Sequence, residues 1–412
     1  MAVPQAGSTY TVGPADTLER IATIAYGDKS KWVKIYAANQ TTLRSGDANV
    51  IFPGEIIKIP VLSEKKTAKF LTGKDADDLT LVINDLEIPT TQLKCTRAMD
   101  TAASGWTASI MWNPGQDKDL DEAVRRYGYQ EASVFLGNDL LCDGYLYIVT
   151  PSLTDNGRIK ALAGFSFIKD AIDSTIKPPY EVNDYELKQR AIDLIEPLGI
   201  KIIWDIDDNL KFDKITASAT DRIVPHLQQY IRQRGALITS DVEGNFVVTN
   251  PNVDGKSVGT IEEGVSGVLE YTASFDGTKL FNAYKAIGQT PGSTTNFEIA
   301  KDDNVPNSRM ITFNNPDTTE GGLKRAAEWQ RSKTLTEAWT IPFIATGYYA
   351  PNGDRWTENT IVTLVSETLS LDEGEDFLIQ RTEFSSGSSK TTRLILIPPQ
   401  AYTGEPIPKT FM

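Results

Sequence analysis

Histidine is all but missing from this chain: there is one, His226, among 412 residues. A metal site built from several imidazoles is therefore excluded, and any Ser–His–Asp arrangement would have to run through His226. Its surroundings, Val224-Pro225-His226-Leu227-Gln228-Gln229-Tyr230, read as the start of a helix. Cysteine is almost as scarce. Cys95 and Cys142 are too few for a disulfide scaffold or a thiolate metal cluster, and both are expected as free thiols of a chain made in a reducing cytoplasm. There is no run of about 18 apolar residues, so no membrane span is expected. The opening Met1-Ala2-Val3-Pro4-Gln5-Ala6 lacks the basic and apolar regions of a secretory signal. Positive charge is in deficit: 41 Lys and Arg stand against 55 Asp and Glu, a net charge of -14. Such a surface repels nucleic acid and anionic membranes, so sequence-specific nucleic-acid binding is not expected. No cofactor site and no metal ligand set is expected either.

What is present is length and a globular composition. With 40% hydrophobic and 23% charged residues, the chain has room for about two to four domains with real cores. Residues 8–60 carry a pattern of their own. Thr9-Tyr10-Thr11-Val12 is a short strand. Asp16 or Thr17 caps a helix, and Glu19 lies three residues after Asp16, as in a capping box. Leu18, Ile21, Ala22 and Ala25 share one face of that helix, and Gly27 ends it. A second helix covers residues 30–39, with Trp32, Val33, Ile35 and Tyr36 apolar. Phe52-Pro53-Gly54-Glu55 turns into the strand Ile56-Ile57-Lys58-Ile59, which Pro60 ends.

This βααβ order, with Tyr10-x-Val12, Asp16-Thr17-Leu18, Tyr26-Gly27, Ala38-Asn39 and Pro53-Gly54, resembles the LysM domain family. The resemblance implies a groove for N-acetylated glycan between the loop after the first strand and the loop before the second. Here that groove would use Ala15, Asp16, Thr17 and Leu18 with Ile51, Phe52, Pro53 and Gly54. The family usually has Gly where this chain has Ala15, and a Cβ there crowds a sugar that approaches the backbone. Docking to other proteins and contact with peptidoglycan both stay open for the module.

Residues 1–62 are assigned to this module and the lysine-rich, aperiodic residues 63–77 to a linker. Residues 78–166 hold many short alternating stretches separated by turns, among them Leu79-Thr80-Leu81-Val82-Ile83, and suggest a first β-barrel-like domain. Asp117-Lys118-Asp119-Leu120-Asp121-Glu122 lacks the glycine and spacing of a calcium loop and reads as a helix start. Residues 167–258 contain a duplication: residues 184–212 recur as 220–248, aligning Gly199 with Gly235, Ile202 with Ile238, Asp205 with Asp241 and Asn209 with Asn245. Each copy reads as a helix, a glycine stop and a hairpin, the hairpins turning at Asp207-Asp208-Asn209 and Glu243-Gly244-Asn245. Leu187, Ala191, Leu194, Ile195 and Leu198 form the buried face of the first helix. Because the acids recur at equivalent turns, they mark solvated hairpins rather than a catalytic pair. Residues 259–412 form a second β-barrel-like domain with a C-terminal tail. Within it, residues 291–306 read as a polar loop, 323–333 as a helix, and 371–376 as an exposed acidic turn. The fold class is α+β and multidomain.

The last domain also carries a resemblance. Arg325-Ala326-Ala327-Glu328-Trp329 on a helix is followed by Trp339, then Gly353-Asp354-Arg355-Trp356-Thr357-Glu358-Asn359, then the closing Leu394-Ile395-Leu396-Ile397-Pro398-Pro399. With Phe281-Asn282-Ala283-Tyr284 and Gln233-Arg234-Gly235-Ala236-Leu237-Ile238, these residues resemble the baseplate hub proteins of contractile-tailed phages, of the Mu P-protein type, over about residues 78–399. The resemblance implies a structural hub, not an enzyme. Three copies would form a homotrimeric ring whose paired barrel-like segments match a sixfold tail tube above and a threefold central spike below. Implied partners are the spike, tail tube or tube-initiator proteins, the tape measure protein, baseplate wedge proteins and, through the module, peptidoglycan. The implied place is the tail baseplate of the virion, after synthesis in the cytoplasm of a bacterial host. An acidic lumen would let DNA pass without sticking. A different reading is a peptidoglycan hydrolase targeted by the LysM-like module, or a glycan-binding protein. A hydrolase would need two carboxylates across a cleft.

Overall fold

The computed structural model describes residues 4–404 apart from 6, 15, 28, 40, 41, 46–49, 61–74, 76, 156, 208–210, 233, 234, 265, 266, 289–295, 307 and 316–320. Most of the expected linker and the last eight residues of the tail lie outside the described residues. The molecule is a mixed α+β, multidomain protein, mostly sheet with few helices. It divides into two compact units, residues 1–72 with 192–201, and residues 73–191 with 202–412.

In the first unit, β1 (Thr9–Thr11) leads to α1 (Leu18–Tyr26), α2 (Trp32–Asn39) and β2 (Ile56–Lys58), and β1 pairs antiparallel with β2. Tyr10, Val12, Leu18, Ile21, Ala22, Ile35, Ile57 and Ile59 fill the core. Thr17 is the residue that caps α1, accepting the Arg20 N–H at 3.1 Å. The expected capping box between Asp16 and Glu19 does not form, because with Thr17 as the cap the third helical residue is Arg20. Gly27 ends the helix at φ 73°, a left-handed conformation that glycine adopts without a Cβ penalty. Buried Asn39 stitches α2 to β2. Its amide donates to Ile35 O and Lys58 O and accepts from Lys58 N, each at 2.7 Å.

The second unit begins with β3 (Leu79–Ile83), β4 (Leu86–Ile88), β5 (Gln92–Ala98), β6 (Gly105–Met111), α3 (Lys118–Ala123), β7 (Glu131–Leu136), β8 (Asp139–Thr154), β9 (Gly157–Ser166) and α4 (Lys169–Asp173). The acidic run does start a helix: Asp117 caps α3, accepting from Asp119 N and Leu120 N. Next come β10 (Glu181–Glu186), α5 (Leu187–Ile195), whose residues from Ile192 on fall in the first unit, β11 (Ile202–Asp205), β12 (Lys211–Thr216), α6 (Ile223–Arg232), β13 (Leu237–Ser240) and β14 (Phe246–Thr249). In α5, Leu187, Ala191, Leu194 and Ile195 are buried as the apolar face requires, and Leu198 is half-buried.

The two copies of the repeat do not fold alike. The second is a hairpin, β13 antiparallel to β14. In the first, the expected hairpin is absent: β11 runs parallel to β14, and β12 pairs with β10. The reason lies just ahead of α5, where β10 offers a partner strand that aligns Val182 with buried Ile215 and Tyr185 with buried Phe212. The residues ahead of α6 form a turn and a bridge and offer no such strand. Of the expected first turn, Asp208 and Asn209 lie outside the described residues.

The chain then adds β15 (Ser257–Glu262), β16 (Val268–Tyr271), β17 (Ser274–Phe275), β18 (Ala283–Gly288), β19 (Phe297–Lys301), β20 (Met310–Asn315), α7 (Gly322–Lys333), α8 (Leu335–Ala338), β21 (Trp339–Thr346), β22 (Ile361–Ser366), β23 (Leu371–Ser386) and β24 (Thr391–Ile397). Two expectations fail here. A strand, β19, lies inside the expected loop, and the expected acidic turn is the start of β23, paired with β22 through Leu364↔Glu375 and Thr363↔Asp376. The strands expected as two separate barrel-like domains join in one 14-stranded sheet, in which β23 pairs with β5. One core spans both sets, from Leu81, Leu93 and Trp106 to Phe343, Phe377 and Leu396. Burying that shared face is what holds residues 78–166 and 257–402 together.

Candidate functional site

The loops that flank the LysM-like sheet lie side by side. Val12 N donates to Glu55 O and Gly54 N to Val12 O, both at 2.8 Å, which extends the β1–β2 ladder into the loops. Asp16 clasps its own loop, accepting from the Tyr10 hydroxyl at 2.8 Å and from Gly13 N at 2.7 Å. The bond to Asp16, then burial, raises the pKa of the Tyr10 phenol. In the facing loop, buried Glu55 accepts Phe52 N at 2.8 Å and Arg44 N at 2.6 Å. These backbone donors hold its carboxyl below the usual range.

The predicted groove residues divide. Leu18 is 3% exposed and belongs to the core, so its side chain does not line a groove. Ile51 is half-buried against the same core. Asp16 is half-buried and taken up by its clasp, and Thr17 is exposed at the helix cap. Phe52 is 43% exposed, beside exposed Pro53 and Gly54. Ala15 lies outside the described residues. An aromatic face beside open backbone suits stacking and hydrogen bonding. The two carboxylates at hand, Asp16 and Glu55, are both engaged by N–H or O–H donors, which suits holding the loops rather than moving protons.

The second unit has a polar junction that sequence reasoning missed. Arg97, on β5, is 7% exposed. Its guanidinium meets Glu358 at 2.6 Å and donates to Leu141 O at 2.8 Å and Ser240 O at 3.2 Å. Burial pulls the Arg97 pKa down, and the charge and hydrogen bond of Glu358 outweigh it, leaving the pKa above the ordinary value. Beside it the hydroxyls of Ser104 and Ser240 lie 3.0 Å apart, and Ser166 reaches Ser240 at 3.3 Å. One node thus ties β5 and β8, the end of β13, and the segment that leads into β22. The signal was available: Leu93, Cys95 and Arg97 share one phase of the strand, which puts Arg97 on the core face. Glu358 lies within the Gly353–Asn359 motif noted above, where Asn359 N also donates to Ile379 O. Cys95 and Cys142 lie next to this node, both buried. Their mutual hydrogen bond, together with burial, pushes the Cys95 thiol well above its usual pKa.

Family models match three stretches of the chain. They are the LysM domain over residues 10–60, the second domain of baseplate hub protein gp44-like over 169–250, and the fourth domain of the Mu phage baseplate assembly protein GpP over 318–405. The chain is 22% identical over 293 residues to baseplate hub protein gp44 of Escherichia phage Mu, covering 66% of this chain and 75% of that protein. The 43 kDa tail protein of prophage MuSo2 from Shewanella oneidensis superposes with a TM-score of 0.69 at 23% identity, covering 79% of this chain and 99% of that one. The tail protein from Neisseria meningitidis MC58 gives 0.69 at 15% identity, covering 80% and 99%. At these identities the structural likeness speaks for the fold, and the family matches and the phage Mu relative speak for the lineage. The chain is thus similar to the baseplate hub proteins of Mu-type bacteriophage tails over much of its length, with a LysM domain match near its N-terminal end.

Proposed function

We propose that three copies of this chain form a ring in the tail baseplate of a virion, a non-enzymatic adaptor between a sixfold tail tube and a threefold central spike. The observation that carries this reading is the joined sheet. Each chain supplies two sets of barrel strands locked side by side through β5 and β23, so three chains offer six comparable sets around an axis. The acidic balance of the chain, -14, suits a channel that DNA passes without adhering. Tail tube or tube-initiator proteins, the tape measure protein, wedge proteins and the spike are the partners of such a ring. Light scattering after gel filtration tests it: a mass near three times 45.4 kDa and a ring with a central hole in negative stain are expected, and a monomer that persists with the spike present overturns it.

The LysM domain adds a docking or peptidoglycan-contacting arm, with Phe52 as its exposed aromatic. Insoluble peptidoglycan should retain the full chain and lose retention of Phe52→Ala. Retention of neither protein, with binding to tail proteins intact, makes the domain a docking element.

A further inference from the structure

The three-stranded sheet β19–β18–β20 has a face that its own chain leaves uncovered among the described residues. Register assigns the faces. Tyr284 of β18 aligns with Ala300 of β19 and Ala286 with Glu298, and Tyr284, Ala286 and Ala300 form one small core with Leu323, Ala326 and Ala327 of α7. The alternate positions therefore point the other way: Lys285 and Ile287 on β18, Phe297, Ile299 and Lys301 on β19, and Met310 on β20. A sheet face in water normally carries polar residues at these positions. Here Phe297 is 44% exposed, Ile299 39% and Met310 54%. The Lys285 ammonium lies 4.0 Å over the Phe297 ring, so the cation is held flat on the apolar surface.

Two features of the face decide what covers it. Its nine outward positions, which also include Ala283, Thr312 and Asn314, hold two lysines and no carboxylate, on a chain whose net charge is -14. Two such faces set against each other would bring lysines together, so the face does not pair with itself. A more acidic surface suits it better, and a second copy of this chain, net charge -14, brings acidic surface at equal concentration. A contact between unlike surfaces of identical chains is heterologous, the kind that closes into rings. Strands of five or six residues rising about 3.3 Å each, spaced about 4.8 Å apart, make a face of roughly 250 Å². That is about a third of the 800 Å² that a stable interface takes from each partner, so the face is the apolar centre of a larger contact.

We infer that the outer face of the β19–β18–β20 sheet is a subunit interface between copies of this chain, with Phe297, Ile299 and Met310 buried against the neighbour and Lys285 and Lys301 meeting its carboxylates. The inference rests on the ring reading and adds to it the surface that builds the ring. Ile299→Glu and Met310→Glu test it, because both side chains are exposed in the single chain. Leu153→Glu, the same change at a 77% exposed residue of β8, is the control. Light scattering over a dilution series is expected to show wild type and control assembled where both face variants are monomeric, with the half-assembly concentration raised at least about tenfold. Face variants that assemble like wild type overturn the interface and leave the ring standing. A wild type that stays monomeric even with the spike present overturns both. Should a glutamate lower the melting temperature, acylation of Lys285 and Lys301 in the wild-type assembly gives the same answer: protection relative to the diluted chain supports the interface, and equal reactivity overturns it.

Discussion

His226 offers a clean pH experiment because it is the chain's one histidine. It lies in α6, 3% exposed, with Nε2 buried and without a hydrogen-bond partner. The Tyr230 ring stands edge-on, centroid 5.3 Å away. Burial first, and then the charge of buried Arg190, lower its pKa from 6.5 to about 4, with Asp221 acting weakly the other way. The folded pKa is below the unfolded value, so between the two the unfolded chain binds the extra proton. Stability from this site is therefore complete above about pH 6.5 and lost as pH falls toward 4. At pH 5 the loss is at most about 2 kcal/mol, a sizeable part of the roughly 5–15 kcal/mol of a typical domain. The assay pairs urea midpoints at pH 7.5 and 5 for wild type and His226→Phe with proton NMR of the single imidazole. Phenylalanine removes the buried unpaired nitrogen, so the variant should equal or exceed wild type at pH 7.5 and lose less on acidification. An imidazole that titrates near 6.5 in the folded chain, or equal pH slopes for the two proteins, would refute the reasoning.

The remaining predictions concern the second unit. Arg97→Met leaves Glu358 buried without its partner and should cost about 3–5 kcal/mol by urea unfolding, while the double variant Arg97→Met, Glu358→Leu should recover much of that; an unchanged midpoint for the single variant counts against the node. The thiols of Cys95 and Cys142 should resist a thiol reagent in the native chain and react, both of them, once urea unfolds it. Gly144→Ala places a Cβ 1.9 Å from the Phe165 carbonyl oxygen on the neighbouring strand, backbone against backbone, and should abolish soluble folding. Gly277→Ala meets nothing within 4 Å and should change the melting temperature little.

What the sequence revealed is what nearest neighbours along the chain decide. The helical phase of Leu187, Ala191, Leu194 and Ile195, the stop at Gly27 and the βααβ order each depend on a few adjacent residues, and the structure has them. Strand partners depend on distant ones. The duplication predicted two hairpins because both copies have the same local pattern, and one copy re-paired because β10 lay within reach of it and not of the other. The same holds for Arg97, whose partners lie 44, 143 and 261 residues away. In the candidate groove, spacing alone could not separate Leu18, turned into the core, from Phe52, turned out, because both are apolar residues next to a loop.

The failure at β19 came from composition. Phe297-Glu298-Ile299-Ala300-Lys301 alternates in the wrong sense for a strand of a free-standing chain: its larger apolar residues face out and its exposed acid shares the face that packs on α7. Residues 291–306 read as a loop because they are rich in Gly, Ser, Thr, Asn and Asp, and that composition masked the short alternation of Phe297 and Ile299 with Glu298. A protein that works in an assembly has a second inside, made only when its neighbours arrive. A strand whose apolar residues face outward is thus where a subunit interface would be sought, and Phe297 and Ile299 of β19 and the lysines beside them lie on the same face.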